Sequence, residues 1–110
     1  MRGFMDSKDL AKLNAYSEIF KAMAHPVRLF ILKELSKGEG CVCDLKDKIG
    51  VEMPAVSKHL SLLKNAGLVS DEKRGTWVFY RLENPEVNQL VDLVENLTKK
   101  RARQQLELVS

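Results

Sequence analysis

Between Leu10 and Met23 the apolar residues Leu13, Tyr16, Ile19, Phe20 and Met23 return every three or four positions, the spacing of one helical face. His25-Pro26 interrupts that rhythm, because proline disfavours helical backbone before it and suits the first turn of a new helix. A second helix is predicted from there to a stop at Lys37-Gly38, with Val27, Phe30, Ile31 and Leu35 inward. Gly38-Glu39-Gly40 reads as a flexible joint, and Cys41 to Ile49 as a short third helix packed through Val42, Leu45 and Ile49 and ended by Gly50. Pro54 opens a fourth helix, which carries Val56, Leu60 and Leu63 on its inner side as far as Ala66 and stops at Gly67.

After Gly67 the pattern turns from helical to extended. Leu68-Val69-Ser70 and Trp77 to Leu82 are rich in β-branched and aromatic residues, and the polar run Asp71 to Thr76 between them holds the glycine that a hairpin turn wants. A last helix begins near Pro85, with Val87, Leu90, Val91, Val94 and Leu97 along one stripe. The expected fold is therefore mainly α with a small β-hairpin between the fourth and fifth helices, a winged helix-turn-helix. With 110 residues, one domain spanning 1–110 is expected.

Composition narrows the function. No apolar run is long enough to span a membrane and the N-terminal Met1 to Asp6 lacks the apolar stretch of a leader, so a cytoplasmic protein with reduced cysteines is expected. Enzyme chemistry finds no footing, for there is no Cys-x-x-Cys beside a βαβ unit, no glycine-rich phosphate loop and no Ser/His/Asp arrangement. A net charge of +3 permits nucleic-acid binding without demanding it. The cluster Lys99, Lys100, Arg101 and Arg103 reads first as a solvated face.

If Val56, Leu60 and Leu63 face inward, Ser57, Lys58 and Ser61 must face out, as a short hydrogen-bonding surface that fits the major groove. The candidate DNA-binding residues on this helix are Pro54, Ser57, Lys58, His59 and Ser61. Lys64, and Lys73, Arg74 and Thr76 around a free wing tip, are better suited to the phosphate backbone. His59 has a competing reading as a half-buried histidine that contacts the helix before its own. The whole chain also has one, a winged-helix module that binds protein. That module would show an apolar or acidic outer face here, whereas this helix shows Ser57, Lys58, Ser61 and Lys64.

The runs Ala24-His25-Pro26-Val27-Arg28-Leu29, Cys41-Val42-Cys43-Asp44-Leu45, Pro54-Ala55-Val56-Ser57-Lys58-His59-Leu60, Leu63 to Val69 and Arg74 to Leu82 together resemble the ArsR/SmtB arsenical and metal-responsive repressors, over about three quarters of the chain. The resemblance implies a homodimer through the first and fifth helices. It also implies binding to an inverted-repeat operator in double-stranded DNA, with release when an effector arrives. The residues agree on one point, because the stripe on the last helix is too apolar to face water alone.

Arsenic-responsive relatives follow the Cys-Val-Cys-Asp-Leu motif at once with a third cysteine. Here Cys41 and Cys43 match, and Lys46 stands where the third thiol would be. No cysteine precedes Cys41, and the span from Pro85 to Ser110 holds no histidine for the other metal sites of such relatives. Two neighbouring thiolates still suit arsenic(III), cadmium, copper(I) or zinc, or an organoarsenical needing only two sulfurs. Thiol oxidation is the rival, since Cys41 at a helix N-terminus should be drawn toward the thiolate. A pair of small buried hydrophobes with no metal response is the plainest alternative. Two residues apart on a helix point nearly opposite ways, about 200° of rotation, so joint capture is expected to unwind the first turn.

Overall fold

Side-chain caps set the starts of the first three helices. The computed structural model describes residues 5–109; Met1 to Phe4, which belong to the N-terminal stretch read above as lacking a leader, and Ser110 lie outside the described residues. In chain order the elements are α1 (Ser7–Met23), α2 (Pro26–Leu35), β1 (Gly40–Cys41), α3 (Val42–Ile49), α4 (Met53–Asn65), β2 (Val69–Arg74), β3 (Trp77–Leu82) and α5 (Glu86–Val109). Asp6 caps α1 by accepting from the Asp9 N–H at 2.8 Å. His25 caps α2 through Nδ1, which accepts from the Val27 N–H at 3.1 Å, with Pro26 in the first turn where a missing N–H does no harm.

Ile31, Leu32, Leu35, Leu45, Val56, Leu60, Leu63, Leu68, Val69, Val87 and Val91 form the core with Met23, so α2, α3, α4, the start of the wing and the first turns of α5 close on one another. The α4 pattern matches expectation, with Val56, Leu60 and Leu63 all at 0% exposure. In α2 the inward set differs, because Leu32 is buried while Phe30 lies 37% exposed. The helix is covered on more than one side and its buried arc is correspondingly shifted. On α1 only Met23 is buried, with Ile19 and Ala22 half-buried, while Leu13, Tyr16 and Phe20 stand in solvent.

The sheet is the main departure from the sequence reading. It has three antiparallel strands in the order β1-β3-β2, where a two-stranded hairpin was expected. The extra strand comes from the supposed joint, as Gly40 pairs with Tyr80 and Cys41 with Phe79. Cys41 is therefore held extended (φ −84°, ψ 157°) outside the helix that it was expected to begin. Its sulfur accepts from the Asp44 N–H at 3.4 Å and caps α3.

The wing is also longer than expected. Asp71 to Arg74 continue β2, and the pairing of Arg74 with Trp77 leaves a two-residue turn, Gly75-Thr76. Gly75 takes φ 63°, and no other residue type among those described has positive φ, as a type II′ turn requires. Among the described residues no helix is long and apolar enough to cross a membrane.

Candidate nucleic-acid interface

With its apolar side sealed in the core, α4 turns Pro54, Ser57, Lys58, Ser61 and Lys64 outward, all exposed. Helix α3 precedes it at the distance of a tight turn. Gly50 closes α3 in the left-handed region (φ 78°, ψ 23°) and donates its N–H to the Lys46 carbonyl at 2.9 Å. Lys48 on α3 meets Glu34 on α2 at 3.1 Å, and Lys37 meets the other oxygen of the same carboxylate at 3.1 Å. The lysine hydrogen bonds, that of Lys48 first, hold the Glu34 carboxyl below its usual range.

His59 sits differently from its neighbours. It is half-buried, and its Nδ1 lies 3.1 Å from Nη1 of Arg28. Arginine can only donate, so Nδ1 accepts and the ring is the neutral Nε2–H form. Arg28 Nε also donates to the Ala22 carbonyl at 2.6 Å, and the ring of His25 lies 4.4 Å from that of His59. Burial, then the charges of His25, Arg28 and Lys58, lower the His59 pKa below the ordinary imidazole value of 6.5. His59 thus ties α4 to α2 and to the end of α1.

The basic wing is not the free tip that the sequence suggested. Lys64 reaches from α4 to Asp71 of β2 at 3.0 Å, which raises its pKa. Arg74 is held by both oxygens of Glu39 and by Glu72, and lies over the ring of Phe79 at 4.6 Å. Lys73 and Thr76 remain exposed. Glu39, Asp71 and Arg28 were not among the candidate site residues; Asp71 alone lies in the charged run before Gly75, and no local pattern marks Glu39 or Arg28.

A family model described as "Bacterial regulatory protein, arsR family" matches residues 25–71, the span from the cap of α2 into the wing. An HTH-type transcriptional regulator of Methanocaldococcus jannaschii is 42% identical over 89 residues, which is 80% of this chain and 100% of that one. The chain belongs to the arsR family. Among other arsR-type proteins, the arsenical resistance operon repressor of Bacillus subtilis is 41% identical over 88 residues, 79% of this chain and 84% of that one. The solution structure of a homodimeric winged helix-turn-helix DNA-binding domain from Mycobacterium bovis, a possible ArsR-family regulator, superposes with a TM-score of 0.78. It is 33% identical and covers 91% of this chain and 92% of that one. This arsR-family chain is a winged helix-turn-helix DNA-binding transcriptional regulator and not an enzyme.

The cysteines that arsR-type motifs made conspicuous sit at the junction of β1 and α3. Cys41 is buried and Cys43 half-buried. The expectation that a helix N-terminus would favour the Cys41 thiolate is reversed here. Burial pushes the thiol above its usual range, and the opposing pull of the Asp44 N–H does not make up for it. The expectation of opposed thiols in one helical turn also lapses, because Cys41 lies outside the helix.

Proposed function

We propose that this regulator is a homodimeric repressor that binds an inverted-repeat operator in double-stranded DNA and lets go when a soft metal or metalloid engages Cys41 and Cys43. One observation carries the DNA half of this reading, namely that α4 buries one face completely while Ser57, Lys58 and Ser61 stand exposed on the other. These are short donors and acceptors of the kind that meet base edges in a major groove; the exposed Lys73 and Thr76 are read as backbone contacts, as is Lys64 once it leaves Asp71. Exposed Leu10, Leu13, Tyr16 and Phe20 on α1, and Leu93, Val94 and Leu97 on α5, supply apolar faces for a second copy. A twofold pair would set two α4 helices about one DNA turn, about 34 Å, apart.

The effector half rests on donor chemistry and on the name of the Bacillus relative, an arsenical resistance repressor. Among the described residues no group of three or more His, Cys, Asp and Glu could hold a metal ion. The two sulfurs therefore suit arsenic(III), cadmium or zinc with a remaining position filled by the ion's own substituent or solvent. Binding must strip a proton from the buried Cys41, so capture is favoured as pH rises. It must also take the Cys41 sulfur from the Asp44 N–H and so uncap α3. Oxidation fits less well, since burial suppresses the Cys41 thiolate that would react.

The test is a gel-shift titration on a duplex that the parent enriches from a random-sequence library, repeated with arsenite, cadmium, zinc or peroxide. Arsenite or cadmium should weaken the parent by about 5- to 150-fold. A Cys41→Ser, Cys43→Ser variant should bind but not respond, and if it is released like the parent the effector assignment fails. Lys58→Ala should weaken binding and reduce the salt slope by about one.

A further inference from the structure

Arg74 stands next to the wing turn, where a cation would be expected to reach for phosphate. Its surroundings suit a different task. Both terminal guanidinium nitrogens face Glu39, with Nη2 at 3.0 Å from Oε2, and Nη2 also donates to Glu72 at 2.8 Å. The fork-to-carboxylate match gives direction as well as attraction, and a lone surface ion pair would lack that geometry. The guanidinium carbon lies 4.6 Å from the centroid of the Phe79 ring, a second restraint from β3. The terminal nitrogens of Arg74 already face two carboxylates, and Arg81 lies 4.0 Å from Glu72, so the group is neutral overall and Arg74 has little charge or donor capacity left for phosphate. The Arg74 hydrogen bonds hold the carboxyl groups of Glu39 and Glu72 below their usual range.

The strand register says what this group joins. Directly opposed residues of an antiparallel pair share a sheet face, so Cys41 and Phe79 share one, and so do Phe79 with Glu72 and Arg74 with Trp77. Glu39 immediately precedes β1. Lys73, the next residue along β2, falls on the opposite face, paired with Val78.

We propose that Arg74 is a positioning residue: gripped by Glu39 and Glu72 and laid over Phe79, it pins the wing to the strand that carries Cys41, and it leaves Lys73 and Thr76 as the wing groups that reach DNA. The pairing of β3 with β1 and the packing of Tyr80 and Leu82 anchor the base of the hairpin, the pin adds a side-chain tie nearer its tip, and a pre-set wing loses less freedom when it docks. The pin also gives Cys41 a path to DNA through β1 and β3, separate from the packing of α3 on α4. The inference rests on the DNA-binding reading above and on no particular effector.

The experiment uses the 110-residue chain and the library-selected duplex. Arg74→Lys keeps the charge but loses the planar fork, Glu39→Gln removes one partner, and the two are combined. Pinning predicts that each single variant binds about three- to tenfold more weakly, that the double variant is no worse than either, and that the salt slope is unchanged. Trp77 is the sole tryptophan and the cross-strand partner of Arg74, so its fluorescence anisotropy should decay faster in the variants while Tm holds. A merely stabilising ion pair would lower Tm and leave that local motion alone.

Two results overturn the pin: Arg74→Lys binding as well as the parent, or Glu39→Gln binding more tightly. Either makes Arg74 a phosphate contact that the carboxylates restrain. Should Arg74→Lys lose helix content, Glu39→Gln on the exposed flank of β1 decides by itself. A parent that enriches no duplex removes the DNA reading and the pin together, whereas a binding parent with the wrong variant order removes the pin alone.

Discussion

A histidine on an exposed helix has two ring nitrogens to dispose of, and what one of them does constrains the other. For His59 the Nδ1 lone pair accepts from Arg28 at 3.1 Å, and the same guanidinium reaches the Ala22 carbonyl at 2.6 Å. A proton on Nδ1 would turn an acceptor into a donor facing a cation. The groups facing the ring are His25 from the joint before α2, Arg28 from α2 and Lys58 from α4 itself, and all disfavour the imidazolium, as burial does first. Because the folded pKa lies below the unfolded value near 6.5, the unfolded chain binds more protons in the window beneath it. Stability from this group is therefore complete above about 6.5 and is lost as pH falls toward the folded pKa. Thermal melts at pH 7.5 and 5.5 should show the parent losing more Tm than His59→Asn, whose amide oxygen can accept in place of Nδ1 without titrating. Equal losses in the two proteins would remove His59 as the cause. The sequence offered both readings of this histidine, and the Arg28 contact, 31 residues away along the chain, was beyond periodicity to supply.

Helices announced themselves through glycine and proline, and the third strand did not. Gly50 and Gly67 end α3 and α4 at the positions the pattern implied, and both take positive φ. The α3 stop is the more consequential, since only Val51 and Glu52 separate Gly50 from the first residue of α4. An added Cβ at Gly50 meets no atom within 4 Å, so replacement there is opposed by backbone conformation and not by crowding. Gly50→Ala should cost about 1 to 2 kcal/mol in urea unfolding with an unchanged m-value, and Gly50→Asn less, since asparagine tolerates the left-handed region. Equal stability of all three proteins would mean that the α3–α4 turn can relax to another geometry. Strand β1 escaped notice because two residues are too few for alternation to register, and because Gly38-Glu39-Gly40 has the composition of a loop. Its pairing depends on Tyr80 and Phe79, whose distance along the chain hides it from any local pattern. Missing β1 displaced Cys41 into a helix and left Arg74 without its partners.

At the scale of the whole molecule, the apolar stripe of α5 divides into two parts with different fates. Val87 and Val91 are buried in the core, whereas Val94 is 49% and Leu97 64% exposed, and Leu13 and Phe20 on α1 are exposed as well. The stripe was plain in the sequence, but only the fold shows where the chain's own core stops using it. That division makes Leu97→Glu a selective probe. In one protomer the side chain already lies largely in water, so the exchange should leave helix content and Tm of the isolated chain nearly unchanged. At a twofold interface each copy would instead bury a carboxylate without a partner, and symmetry places two such charges in one contact. Light scattering should give the parent twice the 12.5 kDa mass of one chain and the variant a single mass at micromolar concentration. Binding to the selected duplex should then fall by about 100-fold or more, because the second half-site no longer gains from being tethered to the first. A Leu97→Glu protein that remains dimeric with parental affinity would place the interface on other surfaces and would detach the spacing of the two α4 helices from this end of α5.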